Sequence, residues 1–378
     1  MTHQTGAGED LKYWLAFSRI PRIGAVRGGL LESHFGGMEA AWRATSSELS
    51  AAGLDRATVT SIVESRSRVS PDAELEALQR SGVKAYPWTH PDYPARLKEI
   101  DDRPPVLYVR GDLRPEDEWA VAIVGTRRAT PYGRQAAEHF ATELAQQKIT
   151  VVSGLARGID AVAHRAALTA GGRTIAVQAC GLDIVYPPEH AKLALEITGH
   201  GALVSDYPLG TQPRSEYFPR RNRILSALSL GVLVVEGDID SGSLITARMA
   251  LDQNREVFAV PGSIYAPTYR GANKLIQTGE AKLVTSTADI LEELNLTMAT
   301  HQIELREVAP ADATEARLLR IISTQPVHID EVQRASGLPI ADVSGALAML
   351  ELKGIVKQIG PMSFIRAREV AVQYNANR

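Results

Sequence analysis

A series of short apolar runs, most of which end in glycine, constrains the fold of this chain more than any other feature. The runs are Val121–Gly125, Thr150–Gly154, Thr174–Gly181, Ala202–Ser205, Gly231–Gly237, Val257–Gly262 and Lys282–Val284, and stretches with helical periodicity separate them. Continuous apolar strands that alternate with helices are typical of a mostly parallel sheet covered on both faces. The pattern therefore predicts a doubly wound α/β domain.

Two further segments flank this domain. Residues 1–70 have helical patterning interrupted by turns that contain proline or glycine, which predicts a small helical domain. The proline-rich stretch that follows predicts an extended linker with one short strand at Val106–Val109. The central domain, with this leading linker, is assigned to residues 71–298. Residues 312–368 show three helices and then a hairpin, and that order predicts a winged helix.

The roles of the two flanking domains stay open at the level of sequence. Small helix pairs joined by a glycine-containing turn can present backbone N–H groups to DNA phosphates, but a helical packing module without a ligand is the favoured interpretation. The third helix of the winged helix carries few basic residues. A protein-docking or regulatory role is therefore at least as reasonable for it as DNA reading.

The net charge, the cysteine count and the apolar runs of the chain limit the functions that it can have. The 378 residues carry a formal net charge of −3, which argues against a uniformly basic polyanion binder, so any basic groups that meet nucleic acid must be concentrated on one face. The single cysteine, Cys180, excludes an intramolecular disulfide. No apolar run reaches the roughly 18 residues of a membrane helix, and no secretion signal is recognisable. We expect a cytoplasmic protein that does not enter membranes.

The loops after three predicted strands have the composition of an anion site. They contain Gly125, Thr126 and Arg127 after the first strand, Arg157 after the second, and Ser241, Gly242 and Ser243 after a later one. Small residues at the start of a helix leave backbone N–H groups available, and the helix dipole attracts an anion. Since the carboxyl ends of parallel strands share one edge of the sheet, these loops predict a phosphate-binding surface.

The segment Tyr217–Arg223 carries the densest signal. An aromatic ring beside several arginines and an amide is typical of single-strand binding, because rings stack on bases while guanidinium groups contact phosphates. The alternative is that Phe218 anchors the helix to the core and that the arginines pair with acids. Replacing Arg127 together with Arg221 is expected to abolish strand binding and to leave the thermal melt nearly unchanged. The nucleic-acid-binding candidates here are Phe218, Arg220, Arg221, Asn222 and Arg223.

The sequence lacks the motifs of several other kinds of binding site. The loop after the first strand is not a dinucleotide loop, no ATP-binding P-loop is present, and no set of residues has metal-ligand spacing. No cofactor, metal or catalytic residue is therefore expected. Asp160 and His164 stand at helical spacing and could form an acid–base pair, although a buried structural hydrogen bond is the more common explanation. Cys180 follows an apolar strand and is expected in the core.

Five segments resemble the DNA-processing protein A (DprA, or Smf) family. They are Val121–Arg127, Val152–His164, Phe218–Ile224, Ser241–Ala247 and Val260–Gly262, and the stretches Tyr93–Leu97 and Pro105–Gly111 are similar to the segment before that family's core. The resemblance implies an extended Rossmann-like fold for the central domain. It also implies a SAM-like or helix-hairpin-helix-like N-terminal domain and a C-terminal winged helix as variable additions.

The resemblance also implies a function. Members of this family bind single-stranded DNA, protect it during natural transformation of competent cells and load the recombinase RecA onto it. They act as homodimers and are not known as enzymes, and single-strand-binding protein is a further candidate partner. The implied phosphate pocket consists of Gly125, Thr126, Arg127, Phe218, Arg221, Asn222 and Arg223. Many members carry a lysine shortly before the Phe–Pro pair, where this chain has Arg214 and Ser215.

Two rival functions belong to other classes. A nucleotide-hydrolysing enzyme, such as a phosphoribohydrolase, can use a similar sheet, but such enzymes typically carry Pro-Gly-Gly-x-Gly-Thr followed by a glutamate. Here Pro261–Ile264 stands in that place without the acid. The second rival is a scaffold that binds only protein partners, which an oligonucleotide gel-shift would exclude.

Overall fold

The computed structural model describes residues 5–294, 313–322, 327–352, 356–360 and 362–366. The chain falls into two compact units, Met1–Leu294 and Asn295–Arg378. The predicted boundary near residue 70 lies inside the first unit, where the N-terminal helices and the sheet share one buried core. The division into three domains stays a prediction.

Six helices open the first unit, and local capping fixes several of their ends. Thr45 starts the fourth helix, because its hydroxyl accepts from the Glu48 N–H and the Glu48 side chain returns to the Thr45 N–H. Ser70 caps the sixth helix, which ends at Gly82 in the left-handed conformation. The helices are α1 (Thr5–Ser18), α2 (Ala25–Phe35), α3 (Met38–Arg43), α4 (Ser46–Ala51), α5 (Arg56–Arg66) and α6 (Pro71–Ser81).

Nine strands form one sheet in the first unit. They are β1 (Lys84–Pro87), β2 (Val106–Gly111), β3 (Ala120–Gly125), β4 (Thr150–Ser153), β5 (Thr174–Val177), β6 (Gly201–Ser205), β7 (Gly231–Glu236), β8 (Glu256–Ala259) and β9 (Lys282–Leu283). The order across the sheet is β1-β2-β6-β5-β4-β3-β7-β8-β9. Strands β3 to β9 run parallel, whereas β1 pairs antiparallel with β2 and β2 antiparallel with β6. The predicted mostly parallel α/β sheet is confirmed.

The proline-rich stretch before β3 is more ordered than a linker. The strand predicted at Val106–Val109 is present as β2, but β1 was not predicted and adds a further strand at the sheet edge. Pro87 can end β1 because an edge strand has no partner on its outer side. The stretch predicted as an extended linker thus contributes two paired strands to the sheet.

Helices cover the sheet, and the winding reverses next to β3. The chain proceeds outward from β3 through β4 and β5 to β6, and then returns to place β7 against the other side of β3. Ligands of open α/β sheets bind at the carboxyl ends of the strands at such a reversal. The helices are α7 (Ala95–Lys98), α8 (Pro131–Gln146), α9 (Ile159–Thr169), α10 (Ala191–His200), α11 (Tyr217–Ala227), α12 (Gly242–Asp252), α13 (Arg270–Gln277) and α14 (Thr287–Glu293).

The second unit is a winged helix, as predicted. Its elements are α15 (Ala313–Ile321), β10 (Val327–His328), α16 (Ile329–Ser336), α17 (Ile340–Leu352), β11 (Val356–Gly360) and β12 (Ser363–Arg366). The three strands pair in the order β10-β12-β11. Leu318, Val332, Leu347 and Phe364 contribute to its own buried core. Across the described parts of both units, no helix has the length and apolar character needed to cross a membrane.

Candidate nucleic-acid interface

A cleft of about 730 Å³ lies at the point where the winding reverses. Its walls come mainly from the loops after β3, β4, β5, β6 and β7 and from the first turns of α11 and α12. Nine of the twelve predicted binding residues line it. They are Gly125, Thr126, Arg127, Phe218, Arg221, Asn222, Ser241, Gly242 and Ser243.

The loop after β3 is held tightly against its neighbours. The Thr126 N–H donates to the Glu236 carbonyl at 2.7 Å, and the Thr126 carbonyl accepts from the Ile159 N–H at 3.2 Å. Gly158 has a φ of +79°, and a Cβ there would lie only 2.2 Å from the Thr126 carbonyl oxygen. The Thr126 hydroxyl accepts from the Arg128 N–H at 3.2 Å. The backbone around Arg127 is therefore fixed by hydrogen bonds and by close packing.

Arg127 lies over an aromatic ring. Its guanidinium carbon is 5.3 Å from the centre of the Phe218 ring, and the Tyr186 ring lies 5.5 Å from Phe218 on the cleft wall. Phe218 is half-buried and lines the cleft, so part of its ring is accessible there. Arg127 is exposed, and no carboxylate of the described residues forms an ion pair with it. Its N–H groups are therefore available to an anion.

Arg221 provides a second positive charge at the cleft, but from inside the protein. The side chain is only 4% exposed, and its Nη1 donates to the Gly154 carbonyl at 2.9 Å. Nε donates to the Asn222 Oδ1 at 3.2 Å, while no acceptor for Nη2 is found within the part of the chain that the structure describes. A Cβ on Gly154 would lie 2.6 Å from Nη2, so glycine is needed there. The expectation that Arg221 can be replaced without affecting the thermal melt is therefore revised.

Asp160 balances this buried guanidinium. The carboxylate accepts from the Gly154 N–H at 3.1 Å and from the Ala156 N–H at 3.3 Å. Burial raises the pKa of Asp160, and the charge of Arg221 opposes that rise. Burial likewise lowers the pKa of Arg221, and Asp160 opposes that decrease. The two charges stabilise each other across the loop after β4.

Hydrogen bonds of Asn222, Ser241 and Ser243 connect α11 to the start of α12 and cap α12. The Asn222 Nδ2 donates to the Gly242 carbonyl at 3.4 Å. The Ser241 hydroxyl caps α12 by accepting from the Ser243 N–H at 3.2 Å. These contacts place the positive end of the α12 dipole at the cleft.

Three of the predicted residues lie outside the cleft lining. Arg223 pairs with Asp206 at 2.8 Å and with Asp102 at 3.2 Å, and Arg157 pairs with Glu189. Arg220 is exposed on α11 and does not line the cleft. On a helix, Arg223 lies about 200° around the axis from Arg221, which turns it towards the acids. Arg223 and Arg157 thus have acidic partners in the structure, as the alternative interpretation described, and their contact with nucleic acid stays a prediction.

Sequence reasoning missed several lining residues. Tyr186 lies in the loop after β5, and the carboxyl end of β5 is at the same edge of the sheet as the other loops. The rule that loops after parallel strands meet at one edge could therefore have predicted it. Asp238 and Asp240 place negative charge on the same rim. Asp238 pairs with Arg270 at 2.7 Å, so its negative charge has a positive partner.

The proposed acid–base pair and the cysteine have structural roles. The His164 Nδ1 lies 2.7 Å from the Thr174 hydroxyl rather than near Asp160, and burial lowers the pKa of His164 to about 3. Cys180 is buried, as predicted, and burial raises its pKa to about 11. Within the described ranges, no three His, Cys, Asp or Glu side chains come together in a way that could hold a metal ion.

Comparison with known proteins gives consistent matches over most of the chain. The family model "DNA recombination-mediator protein A" matches residues 84–295, and the model "DprA winged helix domain" matches residues 289–360. Protein Smf of Synechocystis sp. is 33% identical, over 95% of this chain and 100% of its own length.

Two solved structures are similar as well. The DNA processing protein A of Streptococcus pneumoniae is 33% identical with a TM-score of 0.64, and the match covers 74% of this chain and 96% of that one. The DNA processing protein A of Helicobacter pylori, whose structure addresses its single-stranded DNA binding mode, is 32% identical with a TM-score of 0.52. That match covers 57% of this chain and 96% of the other.

Proposed function

The chain belongs to the DNA recombination-mediator protein A family, and on that premise we propose that it binds single-stranded DNA in the cleft and acts as a recombination mediator during natural transformation. The observation that carries the proposal is the position of the Arg127 guanidinium over the Phe218 ring, with Tyr186 beside it. Unpaired bases stack on aromatic faces, and guanidinium groups bind phosphates.

An exposed arginine and a buried arginine contribute to the cleft in different ways. Arg127 is exposed and unpaired among the described residues, so it can contact a phosphate through charge-assisted hydrogen bonds. Arg221 is buried and held by Gly154, so its charge contributes to the field at the cleft floor without large side-chain motion. The N-terminus of α12 adds a further attraction for anions. Phosphates would thus meet positive groups at the edge and at the floor of the cleft.

Within this proposal the protein binds DNA and does not turn over a substrate. Incoming single strands would be protected in the cleft, and the protein, as a homodimer, would load RecA onto them, with single-strand-binding protein as a further partner. Support for these finer roles comes from the family membership. RecA filament assembly on DNA coated with single-strand-binding protein should be faster with this protein than without it. An unchanged assembly rate would remove the loading role.

The central test is a titration of labelled oligo-dT with wild type and two variants. Arg127→Ala should weaken binding at least tenfold and lower the salt slope by about one, because one phosphate contact is lost. Arg56→Ala removes an equal charge from an exposed position on α5, and it should bind like wild type. Equal binding by all three proteins would overturn the proposal. A nucleoside monophosphate turnover assay separates it from the hydrolase alternative, which requires product formation.

A further inference from the structure

One residue, Glu236, holds both ends of the loop that carries Arg127. Glu236 is the last residue of β7. Its main-chain carbonyl accepts from the Thr126 N–H at 2.7 Å, and its side-chain Oε2 accepts from the Thr130 N–H at 2.9 Å. The Thr130 hydroxyl lies 3.1 Å from the same oxygen. Hydrogen bonds to a single glutamate therefore fix both ends of the five-residue loop Thr126–Thr130.

The protein keeps this carboxylate in a site that is unfavourable for it. Glu236 is fully buried, and its Oε1 has no hydrogen-bond partner among the residues that the structure describes. Gly133 leaves the space for it, since a Cβ at that position would lie 2.0 Å from Oε2. Burial of a charged or polar group without full hydrogen bonding is destabilising. A glutamate at the end of β7 therefore carries a cost of burial that an apolar residue would avoid.

We propose that Glu236 is a positioning residue that preorganises Arg127 for the phosphate of a single strand. This inference rests on the proposed function of the cleft. A loop fixed at Thr126 and at Thr130 restricts the backbone of Arg127, so less conformational entropy is lost when its guanidinium meets an anion. The Tyr269 hydroxyl, 2.9 Å from the Thr130 hydroxyl, supports the second attachment from outside the loop.

A comparison of buried acids separates positioning from general stability. Asp117 is a buried acid beside the start of β4, at the opposite end of the sheet, where it accepts from Thr150 and pairs with Arg173. Both Glu236→Ala and Asp117→Ala should lower the melting temperature. Only Glu236→Ala should weaken oligo-dT binding, by at least fivefold. Glu236→Gln, which keeps an acceptor for Thr130, should bind within about twofold of wild type.

A double-mutant cycle then tests whether Glu236 acts through Arg127. In the Arg127→Ala background, Glu236→Ala should change affinity less than twofold, because the positioned group is already absent. A full fivefold loss in that background, or an equal loss in Asp117→Ala, would overturn the inference. If Glu236→Ala does not fold, Gly133→Ala replaces it in the cycle, since its methyl group displaces the carboxylate from Thr130. Wild-type affinity in Gly133→Ala would also count against the inference.

The outcomes distinguish this inference from the proposed function. If Arg127→Ala binds oligo-dT like wild type, the cleft is not the binding site and the proposed function fails. If Arg127→Ala loses affinity while Glu236→Ala keeps it, the site stands and only the positioning role of Glu236 is wrong.

Discussion

The guanidinium carbon of Arg127 lies 5.3 Å from the centre of the Phe218 ring, although the two residues belong to a loop after β3 and to helix α11. At an exposed site such a contact is worth about 0.5–1 kcal/mol. It orders the arginine without neutralising it, so the charge stays available. The pair also joins the two chemistries that an unpaired strand offers, a phosphate and a base.

The two arginines at the cleft should respond differently to substitution. Replacing Arg221 with methionine should destabilise the protein by on the order of 3 kcal/mol, because Asp160 loses the charge that balances its burial. Arg127→Ala should leave the urea midpoint nearly unchanged, since that side chain is exposed. Equal midpoints for both variants would contradict the buried position of Arg221.

Tyr186 should contribute a stacking surface. We expect Tyr186→Ala to weaken oligonucleotide binding about tenfold, within the ~1–3 kcal/mol of one base stack, and Tyr186→Phe to retain affinity because the ring is kept. Fluorescence quenching of 2-aminopurine in a single strand measures the contact. Tyr265 is 90% exposed and outside the cleft lining, so Tyr265→Ala is the matched control and should quench like wild type.

Asp240 should limit affinity. It is an exposed acid on the rim of the cleft, where it repels a polyanion. Asp240→Asn should therefore strengthen single-strand binding about threefold at low salt, and the gain should shrink as salt rises. Asp252→Asn changes the same charge at the far end of α12 and should have little effect. Equal gains in the two variants would indicate a general charge effect.

His164 should make the protein sensitive to acid. Burial lowers the pKa of His164 to about 3, whereas an unfolded histidine has a pKa near 6.5, so protons bind the unfolded state first. The stability from neutral His164 is fully present above about pH 6.5 and decreases as the pH falls towards 3, by about 2 kcal/mol at pH 5. Wild type should lose more unfolding free energy between pH 7 and pH 5 than His164→Gln does. The difference between the two losses should be about 2 kcal/mol. The exposed His200→Gln should keep the wild-type pH dependence.

Much of the fold could be predicted because each signal was local. The apolar run Val121–Gly125 gives a strand by itself, and parallel strands bring their following loops to one edge whatever the details of packing. The convergence of Arg127 and Phe218 follows from that rule. The strand β1 was missed because Pro87 and the prolines that follow it suggested a linker, and pairing with β2 is what makes it a strand.

The division of the arginines could not be predicted from local sequence. Arg221 and Arg223 are two positions apart and have the same chemistry. One faces the core and the other faces Asp206, which comes from the loop after β6. Which side of α11 meets that acid depends on how the helix packs on the sheet, and the residue pattern of α11 does not encode it. The hydrogen bonds of Glu236 to the loop that carries Arg127 could not be predicted for the same reason, because they join β7 to the start of α8.

The buried position of Arg221 has a consequence for the thermodynamics of the whole unit. Arg221 lines the cleft and its Nη2 has no acceptor among the described residues, so an anionic oxygen within reach of Nη2 would supply the missing hydrogen-bond partner of a buried group. Such an oxygen would favour the native state over the unfolded chain, which offers no such arrangement. We therefore expect the melting temperature to rise when an anion occupies the cleft.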